Sequence, residues 1–168
     1  RIIMGALNFF QTNVTIENSS FNNIYSEDAV NIVSSNYLIK NSYFKNVKSD
    51  AIDIDFSDGK IINSNFVNIG NDAIDFSGSN SEISFINFTE VVDKGISIGE
   101  NSFIKLNNIN GKASLVGIAS KDGSKAFANN ITFFDIDYPF TAYQKKKAYT
   151  NGQLFIENYS IDNFKRKF

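Results

Sequence analysis

The residues available for chemistry in this chain are carboxylates, lysines and tyrosines. Its 168 residues contain no histidine and no cysteine, which excludes serine–histidine and cysteine–histidine nucleophiles, imidazole or thiolate zinc sites, and disulfides. Arg1 and Arg166 are its only arginines, whereas nucleic-acid-binding proteins usually carry a basic, arginine-rich surface. Any reaction or binding must therefore depend on carboxylates, lysines, tyrosines or a metal ion, and no nucleic-acid partner is expected.

The carboxylates are concentrated in the middle of the chain. Residues 49–100 contain ten Asp and Glu residues but only two lysines, a local charge of −8 in a protein whose net charge is −2. Asp53, Asp55 and Asp75 lie within this segment and are flanked by isoleucine and phenylalanine. What these three acids can do depends on the elements that position them.

An internal repeat positions the acids. A short motif, Ala51-Ile52-Asp53-Ile54 in its clearest form, recurs every 22 residues. Its copies begin at positions 29, 51, 73, 95, 117 and 139, and Ala6-Leu7-Asn8-Phe9 precedes them by 23 residues. The chain is therefore built from seven similar units.

Each unit contains a second apolar segment. Its isoleucines are Ile16, Ile39, Ile61, Ile83, Ile104, Ile131 and Ile156. Five residues after each come Phe21, Phe44, Phe66, Phe88, Ile109, Ile136 and Ile161. In this alignment the spacing grows to 27 and then 25 residues in the last units, which predicts longer loops after Ile109 and Ile136.

A 22-residue unit with two or three short strands is typical of one coil of a parallel β-helix, because stacked coils bury ladders of isoleucine and phenylalanine. The 24 asparagines suit its corners, since asparagine tolerates left-handed backbone and forms amide ladders. We predict an all-β solenoid of about seven coils, a single domain over 1–168, with regular coils over 5–144. Residues 145–168 should form the last coil and a C-terminal cover, and the chain should be the C-terminal part of a longer solenoid.

Stacking converts the repeats into columns of side chains. The isoleucines of Ala-Ile-Asp-Ile point into the core, so the residue between them points outward. One outward column should hold Asn8, Asn31, Asp53, Asp75, Ser97, Ala119 and Thr141. A second should hold Phe10 or Gln11, Val33, Asp55, Ser77, Gly99, Lys121 and Tyr143. A third, at a corner, should hold Asp28, Asp50, Asp72 and Lys94.

These columns predict a carboxylate cluster. Asp53 and Asp75 should lie one coil apart, about 4.8 Å, with Asp55 beside Asp53. Carboxylates this close raise each other's pKa unless a cation lies between them, and calcium accepts such flexible oxygen ligands. Asp53, Asp55 and Asp75 are therefore candidate calcium ligands. A carboxylate pair about 5 Å apart also fits a retaining glycoside hydrolase, and simple solvation of an exposed strand is the third interpretation.

The pattern Asp-Ala-Ile-Asp-Ile, followed by Ile-x-Asn-Ser-x-Phe-x-Asn-Ile, resembles the right-handed parallel β-helix repeat of the pectin-lyase-like superfamily over about residues 5–164. This resemblance implies a right-handed solenoid and a secreted or cell-surface protein. Lyases of the superfamily hold calcium on aspartates and use a lysine or arginine base, so Asp53, Asp75 and Lys121 become the candidate catalytic residues. Counting coils places Lys121 roughly 14 Å from Asp55 along the axis. Polygalacturonases of the superfamily carry a histidine that this chain lacks.

Other charged residues have structural interpretations. Asp28, Asp50 and Asp72 recur before the strand, where an aspartate caps a corner through its side chain. Lys94 completes their column and should pair with Asp72. The lysines at 145–147 should form a solvated loop or, alternatively, grip an anionic glycan, and residues 164–168 should cover or leave the last coil.

Three functions follow. The preferred one is a β-helix module of a larger secreted or surface protein that binds a polysaccharide or cell-surface glycan, or serves as an adhesive scaffold. The alternatives are a calcium-dependent lyase or related enzyme acting on acidic glycans, and a structural spacer or tailspike-like component. Candidate binding residues are Asn31, Asp53, Asp55, Asp75, Lys121 and Tyr143. Calcium is the one cofactor suggested, further coils or domains of the parent protein are expected partners, and no apolar run is long enough to span a membrane.

Overall fold

The computed structural model describes residues 5–163, and every strand pairing within them is parallel. The strands are β1 (Gly5–Phe10), β2 (Asn13–Glu17), β3 (Ser20–Ile24), β4 (Asp28–Val33), β5 (Asn36–Lys40), β6 (Tyr43–Val47), β7 (Asp50–Asp55), β8 (Asp58–Ile69), β9 (Ile74–Ser77), β10 (Asn80–Val91), β11 (Lys94–Gly99), β12 (Phe103–Lys121), β13 (Lys125–Tyr143) and β14 (Gln153–Asp162). Over these residues there is no helix that could span a membrane. The predicted C-terminal cover at 164–168 lies outside the described residues.

The strands build three faces of a parallel β-solenoid. The first face stacks β1, β4, β7, β9, β11 and the last parts of β12 and β13. The second begins with β2 and β5, the third with β3 and β6, and the long strands from β8 onward turn a corner to serve both. Seven strands joined by six pairings on the first face give about six turns. The prediction of an all-β parallel solenoid is confirmed.

The first face has the predicted register. Asn31 lies opposite Asp53, Asp53 opposite Asp75, and Asp75 opposite Ser97. Phe10, rather than Gln11, lies opposite Val33. The first outward column is therefore confirmed along its whole length, because the 22-residue repeat is unbroken on this face.

On the other faces the predicted register is wrong in the later coils. Ile83 lies opposite Leu106, which lies opposite Ala128, so Ile104 and Ile131 belong to other columns. The phenylalanine column likewise passes from Phe88 through Gly111 to Phe133, not through Ile109 and Ile136. No loop lengthens after Ile109. The one long connection among the described residues joins β13 to β14 and spans 144–152.

Stacked aromatic and aliphatic side chains fill the interior. Phe21, Phe44 and Phe66 stack with ring centroids 4.6 and 5.0 Å apart and nearly parallel planes. Phe88 and Phe133 continue the column with centroids 5.7 Å apart. Both rings occupy the space beside Gly111, where an added Cβ would approach Phe88 to 2.3 Å. The core therefore consists of ladders in which each coil covers the apolar face of the next.

The corners depend on left-handed residues and on polar ladders. Positive φ angles recur once per coil in three series, one of which includes Asn18, Asn41 and Asn63. In that series each amide nitrogen donates to the amide oxygen of the preceding coil, at 3.2 and 2.8 Å. Asparagine suits these positions because it adopts left-handed backbone at low cost.

Buried serines form a second ladder at the corner between the first and second faces. The backbone amides of Ser35, Ser57, Ser79 and Ser102 donate to the hydroxyl of the serine in the next coil, at 3.0 to 3.1 Å. These serines are 7% exposed or less. Each hydroxyl therefore satisfies a backbone donor that water does not reach.

Replacing one rung of the serine ladder is expected to destabilise the fold. Ser57→Ala removes the acceptor of the Ser35 amide and leaves that buried N–H unpaired, which should lower the free energy of unfolding by about 1–3 kcal/mol. Urea denaturation of both proteins measures the loss. Ser160→Ala, on the exposed side of β14, is the matched control. Equal stability of the two variants would contradict this role for the ladder.

Candidate functional site

The first face carries an open pocket of about 460 Å³, here named the acid pocket. It is lined by Asp53, Asp55, Phe56, Asp75, Ser77, Glu100, Lys121, Lys145, Lys146 and Tyr149. Four of these residues, Asp53, Asp55, Asp75 and Lys121, are predicted site residues. The pocket therefore brings together the predicted carboxylates and the predicted lysine.

Neighbouring coils position the carboxylates. Asp53 on β7 lies opposite Asp75 on β9, and Asp55 lies opposite Ser77. Asn31, in the preceding coil, donates from Nδ2 to Oδ2 of Asp53 at 2.7 Å. Asn31 is buried and is not among the residues lining the pocket, so it acts on the pocket by orienting Asp53.

Lys121 reaches the carboxylates across an intervening coil. Its Nζ lies 3.7 Å from Oδ1 of Asp75, and the residue is only 7% exposed. The side chain passes over Gly99, where an added Cβ would lie 2.9 Å from Cε of Lys121. Counting coils from Asp55 underestimates this reach, because it ignores the length of the lysine side chain lying along the solenoid axis. The objection that Lys121 is too remote is therefore wrong.

The loop at 144–152 forms one wall of the pocket. The backbone amides of Lys145 and Lys146 both donate to Oδ1 of Asp122 at 2.7 Å. The Lys146 ammonium pairs with Glu100, and the Gln144 side chain donates to the carbonyl of Tyr149 at 2.6 Å. These contacts bring the loop over the first face. The prediction that the longer connections lie away from the acid patch is wrong for this loop.

Two aromatic side chains at the pocket are not predicted from the sequence. Phe56 is 66% exposed and has a φ of 48°, a conformation that is costly for an aromatic residue. Tyr149 comes from the loop. The available signal for Phe56 is its corner position, where the equivalent residues are Ser34 and Gly78.

One predicted binding residue does not line the pocket. Tyr143 lies opposite Lys121 at the end of β13 and is 37% exposed. It is not among the residues that surround the acid pocket. The second outward column therefore contributes Asp55, Ser77 and Lys121 to the pocket, and the column leaves the pocket before it reaches Tyr143.

The corner aspartates serve the backbone. Oδ1 of Asp50 accepts the Asp72 amide at 2.8 Å and the Asn71 side chain at 2.7 Å. Oδ1 of Asp72 accepts the Lys94 amide at 3.0 Å, and the Lys94 ammonium lies 3.4 Å from the same oxygen. The predicted ion pair between Lys94 and Asp72 is confirmed. Asp50 and Asp72 cap the corner by binding the amide of the next coil.

Burial and mutual repulsion shift the carboxylates. Burial, with the neighbouring Asp55, Asp28 and Asp75, raises the pKa of Asp53 to about 8. Burial is also the main cause that raises the pKa of Asp28 and of Asp72 to about 7. Within residues 5–163 no group of three or more acidic side chains has the arrangement of a metal site. Calcium binding by Asp53, Asp55 and Asp75 stays a prediction.

Raising the pH from 5 to 9 is expected to lower the free energy of unfolding. The folded-state pKa values of Asp53, Asp28 and Asp72 lie above the ordinary value of 3.8, so the folded protein keeps protons that the unfolded chain has released. This contribution is complete below about pH 4 and is lost as the pH rises through 7 and 8. Each shifted carboxyl accounts for up to about 1.4 kcal/mol per pH unit.

Urea denaturation across this pH range tests the expectation. Asp53→Asn should flatten the decline, because the amide does not titrate and still offers an oxygen to Asn31. Asp58→Asn, on the second face, should leave the slope as in the parent protein. A free energy of unfolding that rises with pH over this range would contradict the shifts.

Comparisons with known proteins give distant structural similarity only. No protein-family model and no characterised protein sequence matches the chain. The chain is similar to the crystal structure of PfbA, a surface adhesin of Streptococcus pneumoniae, at 12% identity and a TM-score of 0.30, over 98% of this chain and 64% of PfbA. It is also similar to QnrB1, a plasmid-mediated fluoroquinolone resistance protein, at 13% identity and a TM-score of 0.22, over 94% and 92% of the two chains. The chain thus spans less than two thirds of PfbA, and neither similarity carries an argument about function.

Proposed function

We propose that this chain is a β-solenoid module of a larger secreted or cell-surface protein, and that it binds carbohydrate in the acid pocket. The observation that carries the proposal is the combination, in one open pocket, of carboxylates, lysines and the aromatic side chains of Phe56 and Tyr149. Sugar hydroxyls exchange hydrogen bonds with charged groups, while the apolar faces of sugar rings pack on aromatic rings. Specific pockets generally combine apolar contact with a few placed polar groups.

An unsatisfied acceptor supports the proposal. Oδ1 of Asp75 is buried and has no hydrogen-bond partner, and the Lys121 ammonium, 3.7 Å away, is beyond hydrogen-bond distance. A buried acceptor left unpaired costs about 1–3 kcal/mol. A ligand hydroxyl that reaches both groups would accept from Lys121 and donate to Asp75.

The charges of the pocket suit a hydroxyl-rich ligand. Asp53, Asp55, Asp75 and Glu100 face Lys121, Lys145 and Lys146. The pKa of about 8 for Asp53 makes it largely protonated at neutral pH, so it donates while its neighbours accept. The pocket therefore offers donors and acceptors in similar number.

The proposal extends to the parent protein. A stack of coils is a rigid, elongated scaffold whose faces present side chains at a fixed spacing. Together with the resemblance to the pectin-lyase-like superfamily, this supports a right-handed coil, a place in a longer solenoid and a secreted or surface location. In that setting the chain would serve as an adhesive scaffold as well as a binding module.

Oligosaccharide binding tests the pocket. The protein is first screened on an array of acidic and neutral glycans, and the best ligand is then titrated by calorimetry. Asp53→Asn combined with Asp75→Asn, and separately Phe56→Ala, should weaken binding about tenfold or more, which corresponds to about 1.4 kcal/mol. Glu157→Gln, exposed on β14, is the charge-matched control. An array without any ligand, or full affinity in the double variant, would contradict the proposal.

A calcium-dependent polysaccharide lyase is the second candidate. The observation in its favour is that Lys121, the candidate base, lies beside Asp75. The Asp75 carboxylate also favours the protonated form of this lysine, whereas a base must be neutral, and this contrast makes binding the better supported function. The candidate calcium ligands remain Asp53, Asp55 and Asp75.

Ultraviolet absorbance separates binding from elimination, since β-elimination leaves an unsaturated uronate. Acidic polysaccharides are incubated with the protein, with calcium or with a chelator. For a binding module we expect no rise in absorbance under either condition. A calcium-dependent rise that is lost in Asp75→Asn would instead establish a lyase. A melting temperature that responds to neither calcium nor any glycan would favour the structural spacer.

A further inference from the structure

The second face has an open groove of about 590 Å³ that is separate from the acid pocket. The groove runs across the strands, along the solenoid axis, between two outward columns. One column carries Asn36, Asp58 and Asn80 in successive coils, and the other carries Lys60, Glu82 and Lys105. A groove in this direction presents the same kinds of group at each coil.

The charges of the groove are balanced. Glu82 lies between two lysines, with its carboxylate oxygens 3.0 Å from Lys60 and 3.8 Å from Lys105. Asp58 supplies a second carboxylate, and its Oδ1 accepts both the backbone and the side-chain nitrogen of Asn80, at 3.2 and 3.1 Å. Two lysines against two carboxylates give no net attraction for a polyanion or a polycation. The groups instead offer hydrogen-bond donors and acceptors in alternation.

The floor of the groove is fixed in place. The hydroxyl of Tyr37 donates to the Ser81 hydroxyl at 2.7 Å, and both residues are buried. Gly59 lies between them in the column, and a Cβ there would come within 2.6 Å of the Tyr37 ring. A floor without free rotamers loses little entropy when a ligand lies on it.

An exposed aromatic patch continues the groove. Phe103 lines its end, with its ring centroid 5.5 Å from Phe127, and Phe127 stacks on Phe155 at 4.8 Å with planes 10° apart. The three side chains are 38%, 42% and 49% exposed. Phenylalanine has no polar group that compensates for exposure, and contiguous exposed apolar surface marks interaction sites.

We propose that the groove and the aromatic patch together bind a linear, uncharged polysaccharide lying along the solenoid axis. Balanced charge selects against polyelectrolytes, the amide and charged side chains bind hydroxyls, and the phenylalanine rings pack on sugar rings. Coils repeat every 4.8 Å or so, a step comparable to one ring of an extended chain. Groove and patch together extend over five stacking steps, from Asn36 to Gln153. This site does not depend on the function of the acid pocket.

Calorimetric titration of the whole chain with neutral hexasaccharides tests this site. The probes are β-1,4-linked glucose, mannose and xylose hexamers, with a hexauronate as the charged comparison. We expect at least one neutral hexamer to bind and the hexauronate to bind more weakly to this face. Phe127→Ala combined with Phe155→Ala should reduce the affinity about tenfold. Phe134→Ala, exposed to the same 42% as Phe127, is the matched control and should bind like the parent protein.

The outcomes separate the two sites. Loss of neutral binding in the Phe127/Phe155 variant, with full binding in the Asp53/Asp75 variant, supports a second site whatever the acid pocket does. Failure of all three neutral hexamers to bind would overturn it, as would full affinity in the phenylalanine variant. Sedimentation of the unliganded protein supplies a further arm. A dimer that dissociates on Phe127→Ala would assign the patch to a second copy of the chain and overturn the proposal.

Discussion

Every feature of this molecule depends on backbone hydrogen bonds between coils in a fixed 22-residue register. Each coil must return to the same position so that its amides meet the carbonyls of the next. The register stacks like residues on one another, and for apolar or amide side chains this is favourable. Phe44 and Phe66 bury each other's faces, and Asn41 and Asn63 satisfy each other's amides. Many weak propensities thereby agree on one fold.

The same register stacks like charges, which is unfavourable, and the two aspartate columns respond differently. At the corner, Asp50 and Asp72 accept backbone amides of the next coil, so a structural benefit offsets their burial. On the strand face, Asp53 accepts only a side-chain amide from Asn31, and Oδ1 of Asp75 has no partner. Adjacent carboxylates held without backbone partners are not needed for folding. This contrast is why the strand column, and not the corner column, is the better candidate for ligand binding.

The sequence predicts the first face well, because every copy of its motif keeps a small residue followed by apolar ones. It fails on the third face at Gly111, which occupies the phenylalanine column because Phe88 and Phe133 already fill the space beside it. A single glycine gives no sign of an aromatic column, so the nearby Ile109 is aligned in its place. The pocket wall is equally hidden, since the loop at 144–152 folds over the acid patch through amide bonds to Asp122, a residue far from that patch in sequence.

A solenoid face is close to flat, and a flat face excludes little water from a ligand. Binding therefore needs a departure from the repeat, and both candidate sites have one. On the first face the departure is the only long connection among the described residues, which adds Lys145, Lys146 and Tyr149 to a wall beside the stacked acids. On the second face it is a change of residue type within the column, from Asn80 to Phe103, which ends the polar groove in an aromatic surface. The repeat thus supplies rigidity and spacing, and its interruptions supply the recesses in which chemistry can occur.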